Sequence, residues 1–222
     1  MNSTLVFCTS YIENEQNWKS RYEQWLRHHA KVFLENPLFL IDDASPYLPQ
    51  DPDISVTSNL NDLEVGRRAT IFRFEERLGR VAMHNFPGWF RSFVFSLAVA
   101  EKLGFKKIIH IESDAFILSR AALNHVTKLA SGWTAFWCPK WEIPESAFQV
   151  ICEDEFPSLR QVGCQSFAAH YADKVMEEAL PFTRIDKTLL GDRYGHYRTN
   201  VPSFADFAGQ VSPKVTFRSD FS

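Results

Sequence analysis

Short, continuous apolar runs that each end in a polar or acidic cluster constrain this chain more than any other feature. Leu5-Val6-Phe7-Cys8 is the first, and it passes into Thr9-Ser10-Tyr11-Ile12-Glu13-Asn14-Glu15. Leu38-Phe39-Leu40-Ile41 passes into Asp42-Asp43-Ala44-Ser45-Pro46, and Lys107-Ile108-Ile109-His110-Ile111 into Glu112-Ser113-Asp114. Runs of this kind mark strands buried on both faces. Between the first two, Trp18, Tyr22, Trp25, Leu26, His29 and Phe33 recur at three- and four-residue steps, which predicts a helix over 17–33. Asn36-Pro37 stops it. A second helix is expected over 89–103, closed by Gly104 in the left-handed cap position. Strand, helix, strand with connections of this length is the grammar of parallel crossovers. The expected fold is α/β: a Rossmann-like, mostly parallel central sheet flanked by helices, in one domain.

The remaining elements are less sharply written. A loop with a short strand at 54–57 is expected after Pro46, and 67–80 is too charge-dense to assign. Ser119 suits the N-cap of a helix through Leu129, and 134–138 reads as a fourth strand. Pro144–Ile151 is expected as a helical turn, and Ala168–Leu180 as a helix ended before Pro181.

Composition removes whole classes of function. With 222 residues, folding buries roughly 70% of the unfolded surface, enough for a core without disulfide staples. A net charge of -3 gives no broad basic field for nucleic acid. No apolar run approaches the roughly 20 residues of a membrane span, and the first residues lack a signal-peptide pattern. Peripheral membrane association is left open. The four cysteines show no paired short spacing, so the expected location is the reducing cytoplasm. The 20 Phe and 6 Trp point first to a Phe-rich core, and stacking on sugar rings is the lesser reading.

Ligands of open α/β sheets bind beyond the carboxyl ends of the strands, where the three polar clusters are expected to meet. Crowded carboxylates repel and lose hydration unless a cation or a donor-rich ligand compensates. A divalent metal holding a diphosphate does both. Taken alone, Asp42 and Asp43 equally suit a turn that bonds backbone N–H groups.

Thr9-Ser10-Tyr11, Asp42-Asp43-Ala44-Ser45 and Glu112-Ser113-Asp114, in that order, resemble the nucleotide-sugar-dependent glycosyltransferases of the GT-A fold. The likeness covers about the first 140 residues, leaving 141–222 as the acceptor-binding part. It implies nucleoside contacts from Thr9, Tyr11, Asp43, Arg91 and Glu112, and Mn²⁺ or Mg²⁺ held by Asp114 with His196 as a further ligand. Glu112 departs from the family's usual Asp-any-Asp pattern. An inverting member also needs a carboxylate base downstream, and Asp186, Asp192 and Asp154 compete for that role. The implied activity is metal-dependent transfer from a nucleoside-diphosphate sugar, with UDP as the expected nucleotide, to a hydroxyl of a saccharide or lipid-linked acceptor. The rivals are a non-catalytic nucleotide-sugar-binding module and a sugar-phosphate nucleotidyltransferase. The latter wants a Gly-rich, arginine-bearing loop after the first strand, and Thr9–Glu15 has neither residue. No phosphate-binding Gly-Lys-Ser/Thr loop, dinucleotide fingerprint or serine-hydrolase elbow is present.

Overall fold

The computed structural model describes residues 4–193, 201–213, 215 and 217–221. β1 (Thr4–Ser10) leads into a helical stretch built of α1 (Glu15–Asn17), a π-helical turn at Trp18–Tyr22 and α2 (Glu23–Val32). β2 (Leu38–Asp42), β3 (Ile54–Thr57) and β4 (Ala69–Arg73) precede α3 (Pro87–Leu103) and β5 (Lys107–Ile111). Then come β6 (Phe116–Ile117), α4 (Arg120–Lys128), β7 (Trp133–Cys138), β8 (Ile143–Cys152) and α5 (Phe156–Cys164). The short elements α6 (Phe167–His170), α7 (Met176–Ala179), β9 (Arg184–Asp186), β10 (Gly191–Asp192) and β11 (Phe207–Ala208) follow.

Eight strands form one sheet in the order β3-β4-β2-β1-β5-β8-β7-β9, and β10-β11-β6 make a small second sheet. In the large sheet β8 alone runs against its neighbours, so the expected mostly parallel α/β architecture is what forms. β1 and β2 are buried along their whole length because helices cover both faces. Side chains of β1 alternate between the two layers. Val6 and Cys8 pack with Trp25 and Leu26 of α2, whereas Leu5 and Phe7 pack with Phe93 and Leu97 of α3 and Leu159 of α5. The phenylalanine surplus goes largely into these layers, with Phe7, Phe39, Phe93, Phe136, Phe148 and Phe207 wholly enclosed. Each such ring contributes roughly 1.5–3 kcal/mol by leaving water.

Pro87 begins α3 and Gly104 ends it at φ 71°, a conformation a side chain at that position would strain. Ser119 caps α4 by accepting the Ala122 N–H at 3.0 Å. Two expectations fail. The stretch 144–151 is not a helical turn but most of strand β8, whose Ile108–Ile151 and Ile109–Val150 pairings with β5 bury it centrally. The expected helix over 168–180 is two single turns, α6 and α7, interrupted around Asp173, which sits at φ 63°.

The register places the functional rim. Ser10 lies opposite Asp42 and Asp42 opposite Arg73. Phe7 lies opposite His110, so three residues further along, Ser10 and Ser113 reach the same level. The carboxyl ends of β1, β2, β4 and β5 therefore share one edge.

Candidate functional site

Glu112 and Asp114 leave β5 on this edge, and their surroundings differ. Glu112 carries a cage of donors. The Thr9 hydroxyl lies 2.9 Å from each carboxylate oxygen, the Trp89 indole N–H donates to Oε1, and His110 Nε2 is 2.7 Å from the same atom. The His110 tautomer is fixed from behind. Trp133 Nε1–H donates to Gln149 Oε1 at 2.7 Å, which turns the Gln149 amide nitrogen toward His110 Nδ1 at 3.2 Å. Nδ1 therefore accepts, and the proton sits on Nε2, facing Glu112. Burial alone would raise the Glu112 pKa. His110, Trp89 and Thr9 more than offset it and hold the carboxyl below its ordinary value.

Asp114 is more open, 28% exposed, and its Oδ2 pairs with Arg21 Nη2 at 2.9 Å. Arg21 Nε donates to the intervening Ser113 Oγ at 2.6 Å. Arg21 lies in the π-helical turn, where the Glu23 N–H reaches back to the Trp18 carbonyl. Next to it, the Tyr22 hydroxyl bridges the backbone of Tyr11, accepting its N–H and donating to its carbonyl at 3.0 Å each. The Tyr11 ring lies under the guanidinium of Arg77 at 3.8 Å, a cation–π contact just beyond the end of β1.

The acids after β2 shape the loops. Asp42 accepts the Ser45 N–H at 2.7 Å and the Ser10 hydroxyl at 2.9 Å, which is the turn role. Its burial raises its pKa, against those bonds. Asp43 is buried, accepts the N–H groups of Leu78 (3.2 Å) and Gly79 (2.7 Å), and is bonded by Arg91. Gly88 makes room for this: a Cβ there would stand 2.1 Å from Asp43 Oδ2. Ala44 is held at φ 58°, an uncommon conformation for a residue with a side chain. Of the expected nucleoside contacts, Thr9, Tyr11, Asp43, Arg91 and Glu112 thus all reach one rim. The Thr9 and Glu112 side chains bond each other, as do those of Asp43 and Arg91, and Tyr11 keeps a partly exposed ring.

The three expected base carboxylates separate. Asp192 of β10 lies next to β11, whose Ala208 pairs with Phe116 just after the acidic motif, and the Val211 N–H donates to the Asp114 carbonyl at 2.8 Å. Two strand spacings make about 10 Å, so Asp192 belongs to the neighbourhood of Asp114. Asp186 ends β9 at the sheet's far edge, three strands from β5, or roughly 14 Å. There it bonds His125 (2.7 Å) and Thr188; burial raises its pKa, and these partners bring it below its ordinary value. Asp154 follows the carboxyl end of β8, the one reversed strand, so it sits on the opposite rim and caps the Gly132 N–H with both oxygens at 3.0 Å. The structure does not bring it to the site.

A buried charge cluster that the sequence reading placed only loosely on the acceptor side lies beside Asp192. Glu145, 1% exposed, faces Arg193 (Oε2–Nε 3.4 Å), and Arg193 Nη2 pairs with Glu177 at 2.7 Å. Burial pushes Glu145 up to about 7, with Glu177 and Asp114 adding to the rise against Arg193 and the Ala147 N–H. Ala147 joins the cluster to the acidic motif, since its carbonyl accepts the Glu112 N–H (2.8 Å) and its N–H donates to Glu145 (2.9 Å).

As a divalent-metal donor set the described residues fit poorly. Both oxygens of Glu112 are spent on Thr9, Trp89 and His110, and Asp114 is shared with Arg21. Among the described residues no group of three metal-capable side chains occurs. His196, the second expected ligand, lies outside the described residues. Among the described residues no helix is long and apolar enough to cross a membrane.

No protein-family model matches the chain, and no curated protein matches it. Solved structures do. A glycosyltransferase involved in the glycosylation of the major capsid of PBCV-1 is similar over 93% of this chain and 91% of its own, with TM-score 0.52 and 11% identity. A structure described as a nucleotide-diphospho-sugar transferase from Desulfovibrio desulfuricans G20 matches over 69% of this chain and 65% of its own, at TM-score 0.34 and 12% identity. At such identities the first likeness establishes the fold, which is the GT-A-like α/β arrangement.

Proposed function

We propose that this chain is a glycosyltransferase that takes a nucleoside-diphosphate sugar, with UDP the expected nucleotide, and passes the sugar to a hydroxyl of a saccharide or lipid-linked acceptor. The observation that carries the reading is the gathering of Tyr11, the Asp43-held 76–79 loop and Glu112-Ser113-Asp114 on the carboxyl edge of a parallel sheet, where α/β folds place nucleotides. The fold shared with a glycosyltransferase over nearly the whole chain supports it.

The partly exposed Tyr11 suits a nucleobase, and the cations Arg21 and Arg77 suit the diphosphate. Glu112 and Asp43 act behind this surface as positioning residues. In the reaction the acceptor oxygen bonds to the anomeric carbon as the carbon–oxygen bond to the diphosphate breaks. The electron pair leaves with the nucleoside diphosphate, and the acceptor proton passes to a base. Of the three carboxylates expected from sequence, Asp192 stands nearest the acidic motif and is the proposed base.

A panel of UDP-, GDP-, CDP- and TDP-sugars, read by release of the nucleoside diphosphate and by the shift in melting temperature, tests the reading. One diphosphate class should raise the melting temperature by several degrees at millimolar concentration, and its sugar should be hydrolysed slowly without acceptor. Asp192→Asn should lower transfer at least a hundredfold while leaving nucleotide binding intact. If no nucleotide stabilises the chain and none is cleaved, the reading is wrong.

A further inference from the structure

The expected metal position and the residues found there disagree, and the disagreement has a chemical content. We infer that Arg21 is the resident cation of this site: its guanidinium, docked on Ser113 and Asp114, meets the donor diphosphate in place of a divalent metal ion. The inference rests on the nucleotide-sugar reading above and specifies how that same site neutralises its ligand.

Three observations converge on it. First, only one carboxylate of the acidic motif faces the cleft. Glu112 is closed by Thr9, Trp89 and His110, so the motif offers Asp114 alone, and Arg21 is already on it at 2.9 Å. Second, the placement of Arg21 is built. It comes from a π-helical turn, a rare distortion frequent at functional sites, and the adjoining Tyr22 clamps that turn to the backbone of Tyr11 with two hydrogen bonds. The turn that carries the cation and the nucleobase platform are therefore fixed to each other through Tyr22, 11 residues from Tyr11. Third, the guanidinium has capacity left. Its bonds to Ser113 and Asp114 engage two of its five N–H groups, and the side chain is 36% exposed. The remaining edge of a planar, permanently charged fork is well matched to phosphate oxygens. Arg77, stacked on Tyr11 at 3.8 Å, brings a second guanidinium to the nucleobase platform.

Arg21 and Asp114 cancel each other's charge, and Asp114 serves as the anchor that aims the arginine. A diphosphate entering the cleft would then meet a preorganised cation with no ion to recruit. A carboxylate waiting for a metal would instead be expected to present both oxygens without a fixed cationic partner.

Titration calorimetry on the full chain with UDP, GDP and CDP, in EDTA and again with Mn²⁺, tests the assignment. For the nucleotide that binds, the affinity in EDTA should lie within about threefold of that in Mn²⁺. Arg21→Gln should weaken binding in EDTA at least tenfold, Arg21→Lys should recover part of the loss, and Mn²⁺ should now strengthen binding to the glutamine variant. The melting temperature of each unliganded variant reports whether it has folded, and the lysine variant keeps the comparison decisive should the glutamine variant fail. Binding by the wild-type chain that vanishes in EDTA and returns with Mn²⁺ overturns the assignment but leaves the nucleotide-sugar reading standing. Equal binding of wild type and a folded Arg21→Gln in EDTA overturns it too. Absence of binding under both conditions removes both.

Discussion

Two acids separated by one serine leave β5 into opposite circumstances. Glu112 is enclosed by an indole, an imidazole and a hydroxyl, and its own charge is what satisfies them. Asp114 is part-exposed and pairs with an arginine that arrives from the other helical layer. The first behaves as framework and the second as site, although sequence presents them as one motif. A buried carboxylate with several donors is costly to remove because the donors are stranded, whereas a part-exposed ion pair contributes little to stability and serves to aim the arginine.

This contrast is sharpest in a pair of variants. Glu112→Ala strands the Trp89 and His110 N–H groups and should cost about 3 kcal/mol, lowering the melting temperature by roughly 6–12 °C for a chain of this size. Asp114→Asn should cost under about 1 kcal/mol, yet cut nucleoside-diphosphate release at least tenfold. Equal melting temperatures for the two, measured by calorimetry, would dissolve the distinction.

A second test moves along the rim. Asp43→Ala removes the acceptor for two loop N–H groups and for Arg91, and about 2 kcal/mol should be lost. Hydrogen exchange should accelerate at Leu78 and Gly79 ahead of β2. Uniform acceleration through the sheet would mean that Asp43 supports the core instead of the loop.

The buried cluster beside Asp192 supplies a pH-dependent contrast. Glu145 is raised from 4.5 to about 7 by burial, so the folded chain keeps a proton that the unfolded chain has released. Stability from this group is complete below about pH 4.5 and is lost as pH rises through 7, by about 3 kcal/mol. Glu145→Gln should flatten that slope in melting temperature between pH 5 and 8, and an unchanged slope would contradict the burial argument. The smallest effect belongs to the opposite rim. Asp154→Ala should cost about 1 kcal/mol by uncapping Gly132 and leave nucleotide binding as it was.

What sequence made legible follows the physics of burial. β1, β2 and β5 are enclosed on both faces, so their apolar runs are unbroken, and Gly104 closes α3 where a left-handed cap is needed. β8 escaped because Pro144, Glu145 and Ser146 interrupt it and its register with the neighbouring β7 shifts between Ala135 and Phe136. β9, β10 and β11, two or three residues each, exist through their neighbours and carry no periodicity of their own. In the site, the three polar clusters were visible as strand ends. That Thr9 would close on Glu112, or Arg21 reach Asp114 across 93 residues, depends on register and on a distorted helical turn that no local spacing encodes.

A crystal structure of the chain soaked with the stabilising nucleotide shows directly where the nucleoside diphosphate rests. The base should lie against Tyr11 and the phosphates should meet the outer edge of Arg21 beside Asp114. A nucleotide bound elsewhere on the molecule, with Tyr11 and Arg21 untouched, would contradict that placement.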